Sequence, residues 1–354
     1  MIAPPDVRLL DQPAVPVLDV YGRMRAYTRS KNFTGIQPVM WQCSDESQGI
    51  KRSLFGYVYN CPVFNLGRVG ALLDEQRLLP ASQHGQDLVI FGGSHIGVPE
   101  IEGIGHVERV NGSVSPCCGM LYRVLKDYLQ LYRRASMLIR LFREGSSQRI
   151  EIPYKYLFAP RAAKHPQLKL HLERLVEGNA LRDSGRGKVY RLSSEFATQH
   201  QFIVRQLDAE GRAIHDLLDS DHFTFVQKID YDSQEIGDLI TASVFGFMSE
   251  IVTAAHPHRR LANIHTWRQF HCLTNYLTDN FDLGKRNVFV VAGLTIDHSV
   301  RLNSIVPQFG FVLEGGQILE AEYFGPQEIN ALLNDFQPEL PEYSFMQYAG
   351  VSQT

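Results

Sequence analysis

Three apolar runs, Ile36–Trp41, Asp87–Phe91 and Asn287–Ala292, constrain this chain more than any other feature. Each is strand-length, too short for a stable helix and without alternating polar residues, so each reads as a strand buried on both faces. Gly92-Gly93 breaks the second run and Gly293 ends the third. Gln308–Glu320 reads as a hairpin turning at Gly315-Gly316. Between these runs the apolar spacing is helical. Leu121, Val124, Leu125, Tyr128, Leu131, Tyr132 and Leu138 mark one amphipathic helix over Cys117–Arg143, with Ser115 as N-cap and Pro116 in the first turn. Val69–Arg77 reads as a helix or turn, and His165–Val176, Ser194–Leu218, Ile236–Ala254 and Leu261–Asn280 as further helices. Strands separated by helices predict an α/β fold with a largely parallel central sheet flanked by helices. The helix-rich middle, 150–285, is expected to pack over that sheet. The organisation is then one domain over 31–354 behind an irregular arm at 1–30.

Composition excludes several classes. With 354 residues, 44% apolar and 21% charged, the chain can bury a sizeable core. A net charge of −3 gives no electrostatic reason to expect nucleic acid as a partner. Prolines and acidic residues in Met1–Leu18 stand where a signal peptide would need a basic start and an apolar run, and no stretch approaches the ~20 apolar residues of a membrane span. Five unevenly spaced cysteines, two of them adjacent, do not make a disulfide framework. Reduced thiols and a cytoplasm-like compartment follow, an organelle being the other choice.

The chemistry lies in three short segments. Cys43 sits just past the first strand run and His95 just past the second, and open α/β sheets place functional groups beyond the carboxyl ends of their strands. Cys117-Cys118 stands at a helix start, where unpaired backbone N–H groups favour thiolates. Thiolate and imidazole are the ligands zinc prefers, and three of them leave a fourth position open, the pattern of a catalytic site. Blander readings stand beside this one: Cys43 as a small buried hydrophobe, His95 as a loop hydrogen-bonder, and Cys117-Cys118 packed under the helix. A cysteine-nucleophile hydrolase using Cys117 or Cys118 with His95 as base also fits the residue types. His256, His258, His265, His271 and Cys272 read as solvated or packing residues, Cys61 as structural. Gly103-Ile104-Gly105 is too short for a nucleotide fingerprint.

The ordered segments Cys43-Ser44-Asp45-Glu46, Phe64-Asn65-Leu66-Gly67, Gly93-Ser94-His95-Ile96-Gly97-Val98 and Cys117-Cys118-Gly119 resemble the signature of the limiting-CO2-inducible B/C (LCIB-like) family, a divergent branch with a β-carbonic-anhydrase fold. The likeness covers both ends of the chain and is weakest over 150–285. It implies a zinc ion held by Cys43, His95 and one of the paired cysteines, with Cys118 favoured over Cys117 because Gly119 follows it. It implies reversible hydration of CO2 to bicarbonate, with Asp45 accepting a hydrogen bond from the attacking oxygen or closing onto the metal, and a homodimeric assembly. In β-type enzymes an arginine two residues after the aspartate orients it; here that position is Ser47, and Lys51 or Arg52 is the expected substitute. A catalytically silent zinc protein acting in assembly or inorganic-carbon handling is the second reading.

Overall fold

The computed structural model describes residues 13–345, apart from 75–86, 99, 102–103, 110, 137–139, 145–146, 154–166, 172–175, 184–186, 193–217, 220–221, 227–234, 245–246, 280–285, 299–302 and 316–319. The chain divides into two compact units, Met1–Tyr122 with Ala262–Thr354, and Arg123–Leu261.

The apolar runs form the centre of the first unit. Strands β2 (Gln37–Trp41) and β4 (Leu88–Gly92) are buried at every position. They pair in parallel with each other, β2 also with β3 (Phe64–Asn65), and β4 with β16 (Val288–Asp297). β5 (His95–Gly97) follows a two-residue break and rejoins β16 farther along, again in parallel. From β16 onward the pairing reverses. β17 (Asn303–Glu314) runs antiparallel to β16, and β18 (Glu320–Phe324) and β1 (Val15–Pro16) antiparallel to β17. The sheet is therefore mixed, not largely parallel. The few residues joining β16 to β17 cannot make the crossover a parallel neighbour requires, so these strands return as a hairpin.

Opposite faces of β16 and β17 carry different helices, as strand periodicity dictates. On the face of Phe289 and Val312, the core joins Val17, Tyr21 and Met24 of α1 (Val17–Ser30), Phe55 of α2 (Gly49–Tyr59) and Ile329 of the helix Pro326–Asn334. Tyr21 meets Phe55 and Phe91 at ring-centroid distances of 4.7 and 5.2 Å. Full burial of each such ring contributes roughly 1.5–3 kcal/mol, and Phe91→Ala would cost about 3–5 kcal/mol. On the other face Phe309 stacks on Phe270 of the helix Pro257–Asp279 at 5.5 Å. The arm expected at 1–30 is thus helical from Val17 onward and part of the core.

The helix after Cys117-Cys118 is α3 (Gly119–Ser136), shorter at both ends than Cys117–Arg143. Ser115 and Pro116 belong to β8 (Val114–Pro116), which pairs with β7 (Ile104–Glu108), and that strand with β6 (Glu100–Ile101). Beyond α3 the middle is not simply helix-rich. β9 (Arg140–Glu144), β10 (Ser147–Pro153), β12 (Val176–Asp183) and β13 (Gly187–Leu192) form one antiparallel sheet. β11 (Gln167–His171), β14 (Leu218–Asp219) and β15 (His222–Val226) form another. Gln167-Leu168-Lys169-Leu170 and His222-Phe223-Thr224-Phe225 alternate with the period of two that marks half-buried strands, a pattern the helical reading of His165–Val176 passes over. Ile236–Ala254 resolves into two short helices, Ile236–Val244 and Met248–Thr253. The helix expected at Ser194–Leu218 lies almost wholly outside the described residues, and the turn expected at Val69–Arg77 is a short 3-10 segment, Val69–Ala71, with 75–77 outside them.

Candidate metal centre

Three strand ends and one loop converge beside β2. Cys43 follows β2 directly, and the chain through Phe64–Gly67 lies against it: a side chain at Gly67 would meet the Gln42 carbonyl at 2.0 Å, so only glycine permits this approach. The loop continues to Gly70, where φ is +74°, and the Gly70 N–H donates to Cys43 Sγ at 3.2 Å. Cys118 Sγ lies 3.7 Å from Cys43 Sγ, and both thiols are buried. Two sulfurs ~2.3 Å from one zinc at a tetrahedral angle are ~3.8 Å apart, so the pair already has the spacing of a bound ion. His95 is the third member of this group, with its nitrogen, Cys43 Sγ and Cys118 Sγ all within 4.8 Å of one another. Its Nε2 is buried with no hydrogen-bond partner, as is that of His265, and it is the pair of thiols nearby that sets His95 apart.

The other ring nitrogen is crowded. His95 Nδ1 lies 2.9 Å from Asp297 Oδ2, 2.8 Å from Gln48 Nε2 and 3.0 Å from Cys117 Sγ. The sheet register explains the carboxylate: His95 is opposite Thr295, and Asp297, two residues on, shares that face. His95 Nδ1, Cys117 and Asp297 are near enough together to be considered as a second ligand group. Their spacing decides against it. Ligands ~2.0–2.3 Å from one ion stand ~3.3–3.5 Å apart, whereas Nδ1 to Oδ2 is 2.9 Å and Cys117 Sγ to Oδ2 is 3.2 Å, the distances of hydrogen bonds. The same geometry disfavours the hydrolase reading. A nucleophile–histidine–carboxylate relay needs the two partners on different ring nitrogens, and Cys117 shares Nδ1 with Asp297, which rules Cys117 out as that nucleophile.

Asp297 is the hub of a buried polar cluster. Lys51 Nζ is ion-paired with Oδ1, while Ser47 Oγ and Gln48 Nε2 each donate to Oδ2 at 2.9 Å. Lys51 also donates to Gln48 Oε1 at 2.7 Å. Burial acts to raise the Asp297 pKa, but Lys51 and His95 outweigh it and hold the carboxyl well below the usual carboxylate range. An ionised Asp297 can only accept, so a His95 proton sits on Nδ1, which leaves Nε2 as the ring nitrogen available to a metal ion. Without a cation the thiols share protons unequally: the hydrogen bond from Cys118 lowers Cys43, and the same bond together with burial raises Cys118. His95 is raised as well, burial being outweighed by Cys117, Cys118 and Asp297.

Asp45 lies at the partly open edge of this site, where its backbone hydrogen-bonds Cys43. Its Oδ1 accepts from Ser47 N–H at 3.0 Å and from Arg109 Nη1 at 2.8 Å. Arg109 in turn donates to Ser115 Oγ at 2.7 Å and to the Pro116 carbonyl at 3.1 Å, which ties β8 to Asp45. Burial raises the Asp45 pKa, but Ser47 N–H, His95 and Arg109 bring the net shift below the ordinary value. Among the described residues the arginine paired with Asp45 is Arg109, and no hydrogen bond or ion pair joins Arg52 to Asp45; Lys51 is turned inward to Asp297. Sequence reasoning singled out Cys43, Asp45, His95, Cys117 and Cys118 and missed Gln48, Arg109 and Asp297. His265, buried and 3.1 Å from Ser94 Oγ through Nδ1, and His271, packed edge-on against Trp267, are packing residues as expected.

With this geometry in hand, comparison with known proteins is informative. No family model matches the sequence, and no curated protein matches it. Among solved structures, PtLCIB4, a homolog of the limiting CO2-inducible protein LCIB, matches with a TM-score of 0.51 at 11% identity over 87% of this chain and 94% of the other. The chain has the fold of PtLCIB4. A mutant of that protein gives 0.52 at 11% identity, covering 90% and 96% of the two chains. At this identity the PtLCIB4 likeness establishes the fold, the one the sequence motifs resemble. No helix among the described residues is long and apolar enough to cross a membrane.

Proposed function

We propose that this protein binds one zinc ion through Cys43, His95 Nε2 and Cys118 and uses it for reversible hydration of CO2 to bicarbonate, on a β-carbonic-anhydrase-type frame. The observation that carries the reading is the 3.7 Å Cys43–Cys118 spacing beside an unpartnered, buried His95 Nε2. When bound, zinc supplies the Lewis acidity that makes water a nucleophile near neutral pH. The chain's own residues do the rest. Asp45 stays ionised, and with Oδ1 occupied by Ser47 N–H and Arg109, its Oδ2 is left to accept a hydrogen bond from an incoming water and orient it. Arg109 holds that carboxylate turned toward β8, so it does not close onto the metal position.

The catalytically silent alternative rested on the absence of an arginine at position 47. The Asp45–Arg109 pair supplies the missing cation from the connection between β7 and β8 and favours the active reading. Residues 31–354 are taken as one LCIB-like domain that includes 150–285, because the PtLCIB4 match spans more of the chain than the first unit could supply. The reading also includes a homodimer and a reducing, cytoplasm-like compartment, in keeping with five free cysteines. Metal analysis and stopped-flow CO2 hydration on one preparation test the proposal. About one zinc per chain and measurable hydration, reduced roughly 100-fold or more in Asp45→Asn, are expected; a protein purified without zinc and unable to take it up would overturn it.

A further inference from the structure

The buried cluster around Asp297 is larger than metal binding by three ligands requires. Lys51 and Asp297 are both fully buried, and isolated ion pairs of this kind contribute little net stability, since desolvation offsets their attraction. The cluster is also directional. Every polar group in it, Lys51 Nζ, Ser47 Oγ, Gln48 Nε2 and the Cys117 thiol, points at the one carboxylate that meets His95 Nδ1. Four donors fix both oxygens of Asp297, and the register of β5 on β16 fixes its backbone.

We propose that Asp297 is a positioning residue for the metal centre: it holds the His95 ring in the Nδ1–H tautomer with Nε2 aimed at Cys43 and Cys118, and Lys51 is its permanent counter-ion. This rests on the zinc site proposed above. It gives Ser47 and Cys117 roles of their own. Ser47 is a donor to the orienting carboxylate, not a vacancy where an arginine is missing, and Cys117 braces Oδ2 while its neighbour Cys118 binds metal. Carboxylate partners of metal-bound histidines typically account for 10–100-fold in metal affinity.

The test uses the full chain and the variants Asp297→Asn, Lys51→Met and the double variant, with zinc affinity from chelator competition and stability from thermal unfolding. Asp297→Asn is expected to bind zinc 10–100-fold more weakly and to lose stability, because Lys51 is left unpaired. The double variant removes both charges; it should regain stability while its zinc affinity stays 10–100-fold down. A double variant with wild-type affinity would show that Asp297 matters only to folding and would overturn the proposal, as would an Asp297→Asn protein that binds zinc normally. Long-range 1H–15N NMR of the wild type, loaded with zinc, gives an independent reading should the variants fail to fold: Nε2 metallated with a proton on Nδ1 is expected, and metal on Nδ1 would refute it. If the wild type binds no zinc, the site itself is wrong and this role falls with it; normal zinc binding in Asp297→Asn overturns the role alone.

Discussion

Replacing Ser47 by arginine restores, on paper, the aspartate-orienting residue of β-type enzymes, and the structure says the change is harmful. Ser47 is fully buried, and its Oγ lies 2.9 Å from Asp297 Oδ2 and 2.8 Å from Gln48 Nε2. Losing a hydrogen bond to a charged acceptor costs about 1.5–3 kcal/mol. The larger side chain adds roughly 1–3 kcal/mol of overpacking, and its guanidinium enters a space where Lys51 already neutralises the buried Asp297 carboxylate. The sum is at least about 2.5 kcal/mol, a sizeable fraction of the ~5–15 kcal/mol that holds a typical domain, and at least about 5–10 °C in melting temperature at 2–4 °C per kcal/mol. Nothing offsets it at Asp45, whose Oδ1 already carries Arg109. Ser47→Ala isolates the hydrogen-bond part and should cost about 1.5–3 kcal/mol. Thermal unfolding, zinc content and stopped-flow hydration are to be measured on wild type, Ser47→Ala and Ser47→Arg. An arginine variant as stable as wild type and more active would refute the reasoning.

Cys43→Ala and Cys118→Ala should each abolish stoichiometric zinc, whereas Cys117→Ala should retain about one zinc per chain, by metal analysis of purified proteins. Arg109→Ala should lower kcat/KM about tenfold or more with zinc content unchanged, while Arg52→Ala leaves both near wild type; an effect of Arg52 equal to that of Arg109 would return the orienting role to the helix. Burial pushes His265 down to about 4 from an ordinary value near 6.5, so it is neutral in the folded chain while the unfolded chain takes up a proton first. Its contribution is fully present above pH 6.5 and is lost as pH falls from there to about 4, by roughly 3 kcal/mol at the end of that window; urea titrations should show wild type losing that much more than His265→Asn over the same range. Light scattering at micromolar concentration should give a dimeric mass.

The sheet was legible because its central strands are dominated by apolar residues: Gln37–Trp41, Leu88–Gly92 and the first half of Val288–Asp297 fall where the apolar runs lie. Strand direction was not, since it depends on the length of the connections, and only the short link from β16 to β17 shows that the pairing reverses. The middle was misread where segments such as Gln167–His171 alternate over too few residues to compete with a helical template. Within the site, the ligand types were visible because cysteine and histidine are scarce and stand at strand ends. Arg109 and Asp297 carry no local signal: Arg109 is far along the chain from the aspartate it holds, and Asp297 is one acidic residue past an apolar run.

Asp297 and Arg109 share a physical logic that explains how a site can keep its chemistry while its sequence spacing changes. A metal centre needs a carboxylate turned to the right oxygen and a histidine held in the right tautomer, and it is indifferent to which element supplies either. In this chain the helix after Asp45 contributes Gln48 and Lys51 to the histidine side, through Asp297, so the position two residues after the aspartate is drawn into that cluster as Ser47. The cation for Asp45 then has to come from elsewhere, and the β7–β8 hairpin, which carries the chain into Cys117-Cys118, supplies it as Arg109. The roles of Ser47 and Arg109 are therefore coupled. Ser47→Arg combined with Arg109→Ser would still fail to rebuild the site, because the arginine at 47 would have to abandon Asp297 to reach Asp45, and His95 would lose its brace.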